Sequence, residues 1–303
     1  MLSVKNLKQY FKINRKQKIK AVDGVSFDIF KGETYGLVGE SGSGKTTIGR
    51  SIIRIYDPTE GEVHFEGKKI SGKLNKQERK CISNNIQMIF QDPMASLNPR
   101  LKVKNIVAQG LDIQHKYKSK EERNQKVYSI LEKVGLSREH ADRYPHEFSG
   151  GQRQRIGIAR AIIMNPQLII ADESISALDV SIQAQIVNLL KNLQKDLGTT
   201  YLFIAHDLAM VKYISDRVGV LHLGHLVETG TTQEIFGNPI HPYTKSLLSA
   251  IPHPNPKVEK TKRILEYDYK KNDIDYTKGI KRHVEGQHYV LATDEELRKW
   301  IVE

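Results

Sequence analysis

Apolar and polar residues alternate from the start of the chain. Leu2-Ser3-Val4-Lys5-Asn6-Leu7 has the two-residue period of a strand with one buried face, and Tyr10 and Phe11 follow. Lys12 to Lys20 is a polar, basic interruption of hairpin-loop type, after which Ala21 to Ile29 alternates again. Lys31-Gly32 turns the chain into Thr34-Tyr35-Gly36-Leu37-Val38, a short buried strand, and a helix is predicted over Thr46 to Ile55. Asp57 to Gly61 reads as a turn and Glu62 to Gly67 as another short strand, so a small antiparallel layer is laced into an α/β core. Ile86 to Phe90 is an apolar strand that stops at Gln91, where Asp92-Pro93 breaks it. From there to about residue 165 the pattern is mostly helical (Val103 to Gln109, Lys120 to Val134, Gln152 to Met164), which predicts an inserted helical subdomain over about 92–165. Leu168 to Ala171 and Thr199 to Ala205 are buried-strand runs separated by a helix over Ser181 to Leu197.

Chemistry enters between the third strand and its helix. Gly39-Glu40-Ser41-Gly42-Ser43-Gly44-Lys45-Thr46-Thr47 fits the phosphate-loop pattern G-x-x-x-x-G-K-[ST]. Gly42 and Gly44 remove side chains so that successive backbone N–H groups can turn toward a phosphate oxygen. Lys45 carries positive charge to the β- and γ-phosphates, and the Thr46 hydroxyl suits Mg²⁺. An ordinary glycine-rich turn is the bland alternative, but a strand before and a helix after argue for a nucleotide site.

Two further strand ends carry site-grade polar groups. Leu168-Ile169-Ile170-Ala171 runs into Asp172 and Glu173, and acids at the C-terminal end of a central parallel strand lie where α/β sheets bind ligands. Asp172 is expected to hold Mg²⁺ through water and Glu173 to polarise the attacking water. A helix-capping role for the pair is weaker, because the next helix starts near Val180. His206-Asp207 ends the Thr199 to Ala205 strand, where His206 can touch a γ-phosphate and orient a water. Phe148-Ser149-Gly150-Gly151-Gln152 precedes a long helix, with Ser149 placed to cap it; taken alone this is a capped helix, and beside the other motifs it is a second anion-ready N-terminus.

Composition adds limits. In 303 residues, 39% are hydrophobic and 27% charged, and no run approaches the apolar length of a membrane span. Met1 to Lys5 has no apolar signal region, so a cytosolic chain is expected. Cys81 is the single cysteine, which excludes an internal disulfide or an all-cysteine metal site within one chain. The net charge of +12 is concentrated: residues 1–31 hold eight Lys/Arg against two Asp, while the last 47 hold eleven Lys/Arg against ten Asp/Glu. A basic N-terminal face suits nucleotide phosphates or an anionic membrane leaflet as well as nucleic acid, and no nucleic-acid partner is expected.

These motifs, in this order, resemble the nucleotide-binding subunit of an ABC transporter over roughly residues 1–235. Residues 39–46 match its Walker A loop, Gln91 its Q-loop, 148–152 its LSGGQ signature with Phe for Leu, Asp172 and Glu173 its Walker B acid and catalytic glutamate, Ser176-Ala177-Leu178-Asp179 its D-loop, and His206 its switch histidine. Phe11 matches the aromatic that stacks on adenine, with Tyr10 as the alternative. After the Walker B strand the family usually reads Asp-Glu-Pro-Thr-Ser, whereas this chain reads Asp172-Glu173-Ser174-Ile175-Ser176, which leaves both carboxylates in place. Asn238 to Leu248, with its His241-Pro242-Tyr243-Thr244 segment, is similar to oligopeptide and dipeptide permease ATPases; so are Gln91 to Pro99 and Ser176 to Gln185. The absence of cysteine from the C-terminal extension is more like the F-type than the D-type subunit of that group.

The resemblance implies an α/β phosphate-loop NTPase core with an N-terminal antiparallel β layer and an inserted helical subdomain over 1–235, plus a small C-terminal extension over 236–303. It implies ATP and Mg²⁺ as ligands, with Lys45, Glu173 and His206 catalytic. Residues 39–47, Phe11, Gln91 and, from a partner, Ser149, Gly150, Gly151 and Gln152 would bind nucleotide. Thr46, Gln91 and Asp172 would serve the metal. The implied assembly is a head-to-tail dimer with a related ATPase subunit (a homodimer is the alternative), two integral membrane permease subunits and, indirectly, an extracytoplasmic solute-binding protein, all at the cytoplasmic face of the membrane. Peptide is the expected solute, with nickel or another small solute as the alternative, and a soluble non-transport ABC ATPase is the more distant reading. Pro239, Pro242, Pro252, Pro254 and Pro256 suggest an extended linker, and Tyr267 to Trp300 a small extension packing on a partner subunit or, failing that, a partly ordered tail.

Overall fold

Alternate burial along β1 (Leu2–Lys12) and β2 (Lys18–Ile29) makes them antiparallel partners, with Leu2 opposite Ile29 and Val4 opposite Phe27. The computed structural model describes residues 1–14, 17–174, 179–252, 264–269 and 274–302. After β2 come β3 (Thr34–Val38), α1 (Lys45–Ile52), β4 (Glu60–Phe65), β5 (Lys68–Lys69), α2 (Lys76–Asn85), β6 (Ile86–Ile89), α3 (Pro93–Ser96), α4 (Val103–Gln114), α5 (Lys120–Lys133) and α6 (Gly150–Ile162). Then follow β7 (Leu168–Asp172), α7 (Val180–Leu197), β8 (Thr200–Ile204), α8 (Leu208–Ile214), β9 (Arg217–His222), β10 (His225–Thr231), α9 (Thr232–Gly237), α10 (Pro242–Ser249), β11 (Ile280–Glu285), β12 (His288–Ala292) and a terminal helix, Asp294–Val302. Contacts divide the chain into two units, residues 1–29, 33–72 and 205–303 in one, and 30–32 and 73–204 in the other. Among the described residues no helix is long and apolar enough to cross a membrane.

The first unit holds an antiparallel layer in the order β2-β1-β4-β5. It also holds β3 paired in parallel with β9, which is followed outward by β10, β12 and β11, all antiparallel. Every residue of β3 is buried, as an apolar run with no polar face requires. The predicted helix after the phosphate loop begins one residue earlier than Thr46 and stops at Ile52, short of Ile55. Arg54 explains the stop: it sits at φ 67°, and its guanidinium is tied to the carbonyls of Ile70 and Gly72 and to Asp57.

The described part of the C-terminal extension packs on its own chain. β12 pairs with β10 through Glu228↔Val290 and Thr229↔Tyr289, and Val290, Ala292, Trp300 and Ile240 form one apolar cluster. Pro242 is not in a linker; it occupies the first turn of α10, where a missing N–H costs nothing. Pro254 and Pro256 lie outside the described residues.

In the second unit β6, β7 and β8 are parallel, with Ile86 opposite Leu168 and Leu168 opposite Thr200. Between Asp92 and Asn165 the elements are α3 to α6 and two short 3-10 turns, Arg138–Asp142 and Pro145–Glu147. Helix α4 runs on to Gln114, past Gly110, where a side chain would press on Met164 Sδ at 2.7 Å, so this glycine serves packing and does not end the helix. Helix α2 went unseen in the hydrophobic pattern; its Asn75 and Glu78 form a capping box, the N-x-x-E signal that marks it.

Candidate functional site

In the first unit the phosphate loop leaves β3 and enters α1. Gly39, at φ 151°, has no room for a side chain, since a Cβ would lie 2.1 Å from the Leu221 carbonyl. Gly44, at φ 107°, is the N-cap of α1, and a Cβ would lie 2.3 Å from the Ala21 carbonyl. These two glycines serve packing and the left-handed turn. Gly42 differs: nothing lies within 4 Å of where its Cβ would be, so only its left-handed φ of 81° calls for glycine. Lys45 is buried, and its Nζ donates to the carbonyls of Gly39 at 2.7 Å and Glu40 at 2.8 Å. Ser41 is exposed, Ser43 buried, and Thr46 and Thr47 half-buried on the first turn of α1. That turn has no side-chain cap, so its N–H groups suit an anionic acceptor.

The same unit carries the other nucleotide-contact candidates of the first strand and the strand tip. Phe11 is half-buried, its ring edge-on to Tyr56 with centroids 5.2 Å apart. Tyr10, the alternative, has its hydroxyl committed to Asp23 at 2.5 Å, and burial together with that carboxylate pushes its pKa up to about 12. His206 is exposed and precedes Asp207, which caps α8. Its neighbour Ala205 donates its N–H to Leu37 of β3 at 3.3 Å.

In the second unit two sequence candidates 82 residues apart meet. Gln91 Nε2 donates to Glu173 Oε2 at 2.8 Å. Glu173 sits at φ 42°, a left-handed conformation unusual for a side-chain-bearing residue, and its N–H donates to the Ile204 carbonyl at 2.9 Å. That bond and the Asp172↔Ile204 register fix where the end of β7 delivers its acids. Asp172 is fully buried. Ser174, where the family usually has Pro, is buried with its hydroxyl unpartnered among the described residues. The D-loop match at Ser176-Ala177-Leu178 lies outside the described residues, and Asp179 is the N-cap of α7.

The signature segment is a capped helix start. Ser149 Oγ accepts from Gln152 N–H at 3.3 Å, while Gln152 Oε1 accepts from Ser149 N–H at 3.0 Å. Phe148 is buried against His140, so the apolar Phe-for-Leu exchange is accommodated. At Gly151 a side chain would meet Ile182 at 2.7 Å. Ser149→Ala should cost about 1 kcal/mol and lower the melting midpoint by about 2–4 °C, with Ser149→Asp, which keeps a capping oxygen, recovering it in thermal melts.

Sequence reasoning missed one residue at the loop. The Tyr243 hydroxyl accepts the Glu40 N–H at 2.9 Å, a contact across 203 residues with no local signature. Metal fit is of the sparse kind: no cluster of three or more His, Cys, Asp or Glu among the described residues is placed to hold an ion. Thr46 in the first unit offers a hydroxyl and Asp172 in the second a carboxylate, each by itself the kind of oxygen donor that Mg²⁺ accepts.

A family model described as "ABC transporter" matches residues 22–176, and one described as "Oligopeptide/dipeptide transporter, C-terminal region" matches 227–275. The oligopeptide transport ATP-binding protein OppF of Bacillus subtilis is 56% identical over 98% of both chains. The dipeptide transport ATP-binding protein DppF of Lactococcus lactis is 53% identical over 98% of this chain and 95% of its own. Among solved structures, an ATP-binding cassette in a dimeric post-hydrolysis state bound to ADP and Pi has a TM-score of 0.70 and 31% identity over 77% of this chain and 99% of that one. The cbiO1 protein of Clostridium perfringens, described as part of the ABC transporter complex cbiONQ, has a TM-score of 0.70 and 26% identity over 86% and 97%. The chain therefore belongs to the ATP-binding proteins of the ABC transporter family, in its oligopeptide/dipeptide transporter group.

Proposed function

We propose that this chain binds and hydrolyses ATP as the nucleotide-binding subunit of an ABC importer that powers uptake of oligopeptides or dipeptides through separate membrane subunits. The observation that carries the reading is near-full-length identity above 50% to oligopeptide and dipeptide transport ATP-binding proteins, combined with a glycine loop holding a buried lysine. In this reading residues 1–235 are the ATPase domain, with its helical subdomain at about 92–165, and 236–303 are the extension.

Each residue then has a role set by its chemistry. Gly39 to Thr47 wrap the phosphates with backbone N–H groups, and Lys45, held on the Gly39 carbonyl, brings its ammonium to the β- and γ-phosphate oxygens. Glu173 orients and deprotonates the attacking water, and Gln91, already on its carboxylate, reports whether a γ-phosphate is present. His206 donates to the γ-phosphate, and Phe11 stacks on the adenine. Thr46, Asp172 and Gln91 would hold Mg²⁺, which when bound neutralises charge developing on the phosphate oxygens. Ser149, Gly150, Gly151 and Gln152 act in trans, aiming the N-terminus of α6 at ATP held by a related ATPase subunit in a head-to-tail dimer. Membrane attachment is then peripheral, at the cytoplasmic face, through two permease subunits that a solute-binding protein feeds.

The test is co-purification of the tagged chain from its own membranes with ATPase assay. Recovery of two membrane subunits and a sister ATPase, with activity stimulated by peptide-loaded binding protein, is expected. Stimulation by nickel instead would reassign the solute, and recovery with ribosomes and no membrane subunit would overturn the transporter.

A further inference from the structure

The peptide joining Gly39 to Glu40 is held from both sides. Its carbonyl accepts from Lys45 Nζ at 2.7 Å, and its N–H donates to the Tyr243 hydroxyl at 2.9 Å. Because a peptide unit is rigid and planar, fixing the N–H fixes the direction of the carbonyl across the same bond. The orientation of the group that carries the Lys45 ammonium is thus set by a side chain from α10.

Tyr243 is itself seated by the C-terminal region. It is 1% exposed, and its N–H donates to His241 Nδ1 at 3.1 Å. Its ring lies on His222, with centroids 4.1 Å apart, and His222 Nδ1 is bonded to the Tyr276 hydroxyl. His241 packs edge-on to Trp300 of the terminal helix at 4.8 Å, and Lys245 of α10 donates to the Trp300 carbonyl. The Glu228 carboxylate accepts from the N–H groups of Ile240 and His241 and pairs with His288 of β12. Burial pushes the Tyr243 phenol up, so the hydroxyl stays neutral, and it holds His222 down at about 4 and His241 at about 3, so both rings are neutral near pH 7. A neutral, dry cluster of this kind is rigid enough to place one oxygen accurately.

We propose that Tyr243 is a positioning residue for ATP: its hydroxyl fixes the Gly39–Glu40 peptide, and through it Lys45, so that the C-terminal region sets the nucleotide affinity of the phosphate loop. The inference rests on the reading of residues 39–47 as the ATP site. It makes the extension part of the nucleotide machinery of its own subunit.

Tyr243→Phe deletes one oxygen and keeps the ring on His222. The KM for ATP and the dissociation constant of a fluorescent ATP analogue should both rise about three- to tenfold while kcat stays within about twofold. Tyr267→Phe is the control: its hydroxyl bonds Tyr276 in the same cluster and does not touch the loop, so its KM should match wild type. A purely structural role would lower the melting midpoint of Tyr243→Phe and leave KM unchanged, and that result overturns the proposal. An equal rise in Tyr267→Phe overturns it too, since the effect would then be general loosening. Wild type that binds no ATP fells the site reading and this inference together, whereas wild-type binding with unaltered Tyr243→Phe binding fells only the latter. Should the variant fold poorly, hydrogen exchange in the wild-type chain decides: the Glu40 amide should exchange well below the rate of exposed Ser41, and equal rates overturn the contact.

Discussion

Glu173→Gln should reduce ATP turnover by a factor of about 10² to 10⁴, the range a positioned general base contributes, with ATP affinity within about twofold of wild type. The substitution suits the local geometry. Gln91 donates to Glu173 Oε2, and a glutamine at 173 still offers a carbonyl oxygen at that reach, so the amide contact can persist while the base is lost. The backbone at 173 is held independently, by its N–H on the Ile204 carbonyl and by the Asp172↔Ile204 register. What changes is therefore proton acceptance, not placement. Binding without cleavage should leave ATP-bound dimers accumulating, visible as a larger species in size-exclusion chromatography with ATP, while single-turnover assays show the slowed cleavage. Turnover at the wild-type rate would remove Glu173 from the role of base.

Much of the core was readable because its signals are local. Thr34 to Val38, Leu168 to Ala171 and Thr200 to Ile204 are apolar on both faces and lie fully buried in parallel strands. Asp172 and Glu173 follow one such run directly. Ser149 before two glycines and Gln152 has the spacing of a capping box, and it forms one. Long-range pairings left no comparable trace. Gln91 finds Glu173, and Tyr243 finds Glu40, only because strand order and turns bring distant segments together, and periodicity carries no record of that. Glu228 and His288 are polar residues of short strands, yet both are buried against each other, and no local pattern shows that the extension, expected on a partner subunit or as a partly ordered tail, packs on its own chain. Alternation predicts which residues share a face; it does not reveal that a second ribbon covers the polar one.

Glu228→Ala should be the most damaging substitution away from the loop, costing about 3–5 kcal/mol, because three buried donors lose the same acceptor at about 1–3 kcal/mol each. Its carboxylate accepts Ile240 N–H at 2.7 Å, His241 N–H at 3.1 Å and His288 Nε2 at 2.7 Å, and alanine leaves those donors without that acceptor. Whether the ribbon then leaves depends on what else holds it. Burial of Ile240, Val290 and Trp300 at about 1.5–3 kcal/mol each sums to about 4.5–9 kcal/mol, which matches or exceeds the loss, so the apolar cluster should keep β12 on β10 for most of the time. The expected outcome is a folded chain with a lowered denaturation midpoint and faster hydrogen exchange confined to β10, β12 and the start of α10. Tyr243 hangs from that same N-terminus, so ATP affinity should fall in parallel, beyond the effect of Tyr243→Phe alone. A variant with the full loss of stability and wild-type ATP affinity would separate the two and leave Glu228 as a structural residue of the ribbon.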